Sequence, residues 1–309
     1  MIEMIIEKIR TEVKKAIVGM DDVVELMTIA LLSNGHILLE GVPGLAKTTL
    51  SKNFAKSLNL AFTRVQMTPD LLPADIIGHS FYDMRTGEFK IRKGPIFTNI
   101  LLVDEINRAS PKTQSALLEA MEEKQVTIEG QTFRLPRPFL VIATRNPVEI
   151  EGVYDIPTAQ ADRFMMEIKV SYLSENHEKE MLRRKNLGLF DEAKPVVSKG
   201  ELEKAAKEVR GVKVSDEIID YIYSILRATR EDERALLGAS PRAGEHLLLA
   251  AKAKAYLENR SYVIPDDVKS LAVPVLSHRI LIKPEYEMEG LTGEEVVREA
   301  LNRVEVPTG

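Results

Sequence analysis

Apolar residues first recur at helical spacing: Ile2, Ile5, Ile6, Ile9, Val13, Ala16 and Ile17 fall on one face with charges between them, which predicts an amphipathic helix over residues 1–17. Gly19 ends it, Asp21 or Asp22 caps a second helix through Leu32, and Asn34-Gly35 stop that one. The pattern then changes. Short, continuous apolar runs start at His36 and recur at residues 61–67, 100–105, 139–144 and 164–170, bounded by turn or charged residues. Runs of this kind are the form of strands buried on both faces. Five of them separated by helical stretches predict an α/β fold: a five-stranded parallel sheet with helices on both faces, an αβα sandwich.

Two stretches depart from that alternation. Residues 76–95 break into short apolar and charged pieces punctuated by Gly78, Gly87 and Gly94, which predicts a projecting insertion with a hairpin. After a helix opened by Ser110-Pro111, residues 124–137 predict a second hairpin: Val126 and Ile128 alternate with Thr127 and Glu129, Gly130 turns the chain, and Phe133 and Leu135 alternate on the return. A purely structural role for it stays open. From about residue 172 the pattern is helical alone, at 175–186, 199–210, 215–231, 241–259 and from Pro265, with a last helix opened by the capping box Thr292-Gly293-Glu294-Glu295. The chain therefore divides into an α/β domain, residues 1–190, and an all-α domain, residues 191–309.

Composition narrows the function classes. A length of 309 residues suits two domains, and a net charge of −5 argues against a general nucleic-acid-binding surface. The absence of cysteine excludes disulfides and thiolate metal sites, and the five histidines show no metal-ligand spacing. The acidic N-terminus does not read as a signal peptide, and no stretch approaches the roughly 18 apolar residues of a membrane span. The expectation is a cytoplasmic protein.

The chemistry concentrates after the first apolar run, at Gly41-Val42-Pro43-Gly44-Leu45-Ala46-Lys47-Thr48-Thr49. A strand, a Gly-containing loop and a helix start in that order turn backbone N–H groups inward, and a polyphosphate fits there. Lys47 would reach the outer phosphates and Thr48 would hold Mg²⁺. Ala46 stands where the pattern G-x-x-x-x-G-K-[ST] has its second glycine. The run at 100–105 ends in Asp104 and Glu105, on the sheet edge that carries the loop. Two acids at a strand end also suit a soluble turn; after this loop they read as Asp104 for Mg²⁺ through water and Glu105 for the attacking water. Asn146, at the end of the next run, would lie near the γ-phosphate or that water. Val18-Gly19 form an apolar bend that suits a wall for a nucleotide base and equally a plain helix linker. In Ser240-Pro241-Arg242 the serine caps and the proline starts a helix, so Arg242 sits in a first turn, where a cation is disfavoured unless it answers an anion.

Taken together, residues 41–48, Thr68-Pro-Asp-Leu-Leu-Pro-Ala-Asp75, Asp104-Glu-Ile-Asn-Arg108, 112–122, Asn146-Pro147, Ala161-Asp-Arg-Phe164, Ser240-Pro-Arg242 and 289–292 resemble the MoxR family of AAA+ ATPases over nearly the whole length. The resemblance implies an αβα nucleotide domain and a helical lid with ATP between them, working as a homo-oligomeric, usually hexameric, ring. It implies Walker roles for Lys47, Thr48 and Asp104, the catalytic acid at Glu105, sensor 1 at Asn146, sensor 2 at Arg242 and an arginine finger at Arg163. Residues 76–95 resemble the helix-2 insert and 124–137 the pre-sensor hairpin. Arg145 departs from the more usual glutamine and could supply a second trans cation. The function so implied is ATP-driven remodelling of protein clients, often with a von Willebrand A-type partner. A nucleic-acid translocase and a nucleotide-switched adaptor with little turnover are the alternatives.

Overall fold

In the computed structural model, which describes residues 4–148, 152–154 and 156–307, the predicted helix of residues 1–17 is α1 (Ile5–Ala16), its first three residues lying outside the described set. There follow α2 (Asp21–Leu32), β1 (Ile37–Glu40), α3 (Lys47–Ser57), β2 (Phe62–Gln66), the short α4 (Pro73–Ile77) and a hairpin of β3 (Gly78–Asp83) and β4 (Glu88–Lys93). Next come β5 (Ile100–Asp104), α5 (Pro111–Glu123), a second hairpin of β6 (Gln125–Ile128) and β7 (Gln131–Arg134), β8 (Leu140–Arg145), α6 (Thr158–Ala161) and β9 (Met166–Lys169). β1, β2, β5, β8 and β9 form one parallel sheet in the order β2-β5-β8-β1-β9.

Alternation along the strands divides the core. Ile37, Leu39, Ile100, Leu102, Leu140 and Ile142 face one side, with α1, α2 and α3; Leu38, Leu101, Val103, Val141 and Ala143 face the other, with α5 and the second hairpin. Both sets are buried, which is why the strands read as unbroken apolar runs.

α7 (Glu175–Leu187) follows β9, and the second domain contains α8 (Lys199–Gly211), α9 (Asp216–Arg230), α10 (Pro241–Leu257), α11 (Pro265–Leu276), α12 (Pro284–Met288) and α13 (Gly293–Arg303). It is not wholly helical: β10 (Ala235–Leu237) and β11 (Leu281–Ile282) pair antiparallel, too short to leave a periodic signal. Its α8, α10 and α11 pack on α2 and β9 and share the apolar cluster on that side of the sheet. The connection into it crosses α3, where Ala193 N donates to Asn53 Oδ1 at 2.8 Å and Val196 N to the Ser57 carbonyl at 2.8 Å.

His36, at the entry to β1, is buried between two backbone partners. Its Nδ1 accepts from Val141 N at 2.9 Å, so the proton lies on Nε2, which donates to the Met121 carbonyl at 3.1 Å. Burial holds its pKa down to about 4. The unfolded chain, with an ordinary histidine, takes up the proton first as pH falls, so stability should drop below about pH 6.5. The contribution of this one residue is expected to fall by about 2 kcal/mol between about pH 7 and about pH 5. Urea midpoints at the two pH values measure it, and His36→Gln should flatten the dependence.

Candidate active site

At a parallel sheet, all strand exits lie on one edge. Here that edge gathers Glu40 and the loop from β1, Asp104 and Glu105 from β5, and Arg145 and Asn146 from β8. The loop is tied to its neighbours at its start: Gly41 N donates to the Arg145 carbonyl at 3.2 Å. A side chain at Gly41 would place its Cβ 2.6 Å from the Val170 carbonyl, so only glycine fits. Ala46 adopts φ 54° and ψ 25°, the left-handed conformation that the sequence pattern assigns to glycine. The missing glycine thus costs strain of about 1 kcal/mol while the loop keeps its shape.

Lys47 and Thr48 open α3. The Lys47 ammonium donates to the Gly41 carbonyl at 2.6 Å, closing the loop on itself. Burial pulls its pKa below the usual lysine range, against the opposing pull of Asp104, Glu105 and Glu40. Val42, Pro43, Gly44 and Leu45 complete the loop between these anchors, and Thr49 follows in the first helical turn, where its carbonyl accepts from Asn53.

Asp104 is buried and well supplied with donors. Oδ1 accepts from Thr144 Oγ1 at 2.8 Å, and Oδ2 from Arg64 Nε at 2.8 Å and Thr48 Oγ1 at 3.4 Å. A hydroxyl and a carboxylate within reach of one another, with no cage of three or more acidic or histidine side chains among the described residues, suit a Mg²⁺ ion carried mainly by phosphates and water.

Glu105 is positioned by backbone and side chain together. It adopts φ 56°, its N–H donates to Thr144 Oγ1 at 2.9 Å, and its carboxylate accepts from Gln66 Nε2 at 2.6 Å and pairs with Arg108 at 3.2 Å. Asn146 is buried, and its Oδ1 accepts from Val148 N at 3.2 Å, so its amide nitrogen is the end left for a ligand. Arg64 and Gln66 were not legible as site residues, because their role depends on the β2–β5 register, which sets Gln66 opposite Asp104.

Gly19 packs close to Leu173 and His177, in the stretch after β9 that also backs Gly41. A cavity of about 560 Å³ opens there, lined by Gly19, Met20, Val170, Tyr172 and Leu173 with Val273 and Leu301 of the second domain. Val18 is buried and does not line it.

The arginines fall elsewhere. Arg145, at the exit edge, is engaged by acids of its own chain, with Glu40 at 2.5 Å and Glu167 at 2.6 Å. Arg163 and Arg242 lie at the opposite, entry edge of the sheet and share Glu122: Arg163 Nε is 3.2 Å from one oxygen and Arg242 Nη2 is 2.7 Å from the other. Glu122 follows Met121, whose carbonyl bonds His36 at the entry to β1. Four strand residues, about 13 Å, separate that edge from the loop. Within one chain, then, the expectation that Arg242 answers the bound phosphate from a lid closed over the nucleotide is corrected: the second domain packs on α2 and β9 and carries Arg242 to the far edge.

Residues 36–166 match the family model described as ATPase family associated with various cellular activities (AAA), and residues 227–300 match an AAA lid domain. The chain is 46% identical to protein YeaC of Bacillus subtilis over 96% of its own length and 92% of that protein's. It is 43% identical to the chaperone MoxR1 of Mycobacterium tuberculosis, covering 98% and 82%. A crystal structure from Cytophaga hutchinsonii superposes with a TM-score of 0.91 at 42% identity, covering 98% of this chain and 95% of the other.

Proposed function

The chain belongs to the MoxR family of AAA+ ATPases, and from that premise we propose that it hydrolyses ATP at a site completed by a neighbouring copy and uses the cycle to remodel, assemble or activate protein clients. The observation that carries this reading is the division of charge between the two sheet edges. The loop, Thr48, Asp104, Glu105 and Asn146 share the exit edge, whereas Arg163 and Arg242 stand together at the entry edge, sharing Glu122, with Asp162 also beside Arg242. A cation pair that faces away from its own phosphate loop is suited to the loop of the next subunit, and copies joined this way close into a ring, a hexamer in our reading.

In that arrangement the N–H groups of residues 41–46 and of the start of α3 hold the phosphates, and Lys47 neutralises the outer ones. Mg²⁺, when bound, offsets the charge of the phosphate oxygens, with Thr48 and, through water, Asp104 as its protein ligands. Glu105 orients the attacking water and takes its proton, while Asn146 hydrogen-bonds the same water or the γ-phosphate. Arg163 from the neighbour stabilises the charge that develops on transfer, and Arg242 stands beside it. The base lies against Gly19 and the stretch from Val170 to Leu173. The insertion, whose Phe81, Tyr82, Met84 and Phe89 are exposed, is the surface proposed to meet the client, alone or with a von Willebrand A-type partner. Among the described residues no helix is long and apolar enough to cross a membrane. The proposed compartment is the cytoplasm.

Phosphate release measured against protein concentration tests the reading. A shared site predicts a rate per chain that rises with concentration as the particle mass, followed by light scattering with ATP, increases. No release at any concentration would favour a switched adaptor. Turnover stimulated by DNA and falling steeply with salt would favour a translocase.

A further inference from the structure

Arg279 ends the turn Ser277–Arg279 after α11, carries a full charge, and is 2% exposed. Every N–H of its fork has an acceptor. Nε donates to Asp162 Oδ1 at 2.7 Å; the two hydrogens of Nη2 are shared among the Asp162 carbonyl at 2.8 Å, the Phe164 carbonyl at 2.7 Å and His246 Nδ1 at 2.6 Å. Nη1 donates to the Met165 carbonyl at 3.1 Å and to that of Val275. His246 is neutral, as an acceptor from a guanidinium must be; burial and Arg279 itself hold its pKa to about 3.

The acceptors outside the lid bracket one residue. Asp162 precedes Arg163, and Phe164 and Met165 follow it. Two other lid residues hold the same segment: Ser240 Oγ donates to Asp162 Oδ1 at 2.8 Å, and His278 Nε2 bonds the Phe164 carbonyl at 3.2 Å. Ser240 also caps α10 through Ala243 N at 3.1 Å, and Arg242 lies in that first turn. Stability alone does not call for such a group, since a well-packed apolar residue commonly serves a buried position as well as an ion pair does. A fork that holds three backbone carbonyls on the two sides of one half-exposed arginine has a geometric use instead.

We propose that Arg279 is the positioning residue for the trans arginine: it fixes the backbone on both sides of Arg163 to the lid, so that Arg163 and Arg242 are presented to the neighbouring phosphate as one preset pair. The inference rests on the shared-site reading above. It also ties any movement of the lid against the sheet to the placement of the finger in the next subunit.

The test uses Arg279→Lys in the full chain. Lysine keeps the charge and has one nitrogen where the fork spans six acceptors outside the turn Ser277–Arg279. Turnover should fall about 10²-fold, the scale of a reacting group misplaced by about 1 Å, with fluorescent-ATP affinity within about twofold of the native protein. Mixing then separates positioning from a general defect. In a mixture with Glu105→Gln, an Arg279→Lys loop meets an intact finger, so hydrolysis should recover to the level given by Arg163→Ala mixed with Glu105→Gln. Recovery in the second mixture without recovery in the first would overturn the proposal and leave the shared site standing. Recovery in neither would overturn both. Where circular dichroism shows Arg279→Lys unfolded, Asp162→Asn, which keeps the shape and removes the carboxylate that Arg279 grips, is carried through the same mixtures with the same outcomes.

Discussion

Glu105→Gln is expected to bind Mg·ATP as tightly as the native protein and to release phosphate on the order of 10²- to 10⁴-fold more slowly. The substitution is nearly isosteric, and most of what holds this position survives it. The left-handed backbone and the N–H donated to Thr144 do not involve the carboxylate. An amide oxygen still accepts from Gln66 Nε2, the contact that now measures 2.6 Å. Two things are lost: the capacity to take a proton, and the charge opposite Arg108, a half-exposed pair of small value to stability. Melting temperature should therefore barely move while turnover collapses. Phosphate release and fluorescent-nucleotide titration on the same preparation read the two properties. Turnover at the native rate would take the role of base away from Glu105. The slow variant, immobilised with ATP and with ADP, is also the form in which a client held only in the ATP state can be recovered and identified.

What the sequence made legible follows from local rules. Strands buried on both faces leave unbroken apolar runs, so β1, β5 and β8 stand out with no knowledge of their neighbours. The first hairpin is marked by the glycines that punctuate it and the second by alternation, and the turn glycines Gly87 and Gly130 are both at positive φ in the structure. The loop motif placed Lys47 and Thr48 because its meaning depends on residues close in the chain. The rest depends on distant pairing. The strand order and the β2–β5 register are set by which runs pack together, so Arg64 and Gln66, which hold Asp104 and Glu105, carry no local mark. The same holds for Arg242. Its place at a helix start was readable, but the anion it answers was not, because the orientation of the second domain is decided by apolar packing on α2 and β9. A helix-start arginine beside Glu122 and Asp162 satisfies the same electrostatic rule as one beside a phosphate.

Arg163→Ala is expected to lose on the order of 10³- to 10⁵-fold in turnover, the worth of an arginine finger, with ATP affinity unchanged. The geometry makes the two halves of that statement separable. Arg163 stands a full strand length from the loop of its own chain, so its removal leaves Lys47, Thr48 and Asp104 as they are. In its own chain it pairs with Glu122, and at 30% and 40% side-chain exposure that bond contributes less than about 1 kcal/mol. Folding should therefore survive. Arg242→Ala is the proper comparison, because both guanidiniums occupy the same carboxylate and each is placed to replace the other. A large loss with Arg163→Ala and a smaller one with Arg242→Ala assigns the γ-phosphate to Arg163; the reverse order assigns it to Arg242. Arg145→Ala should behave differently from both. It strands Glu40 and the buried Glu167, whose pKa burial already raises, so the change should appear first as lost stability in urea. Mixing each variant with Glu105→Gln then sorts them by the edge on which they act. Defects at the entry edge are rescued by a neighbour's intact arginines, and a defect beside the loop is not.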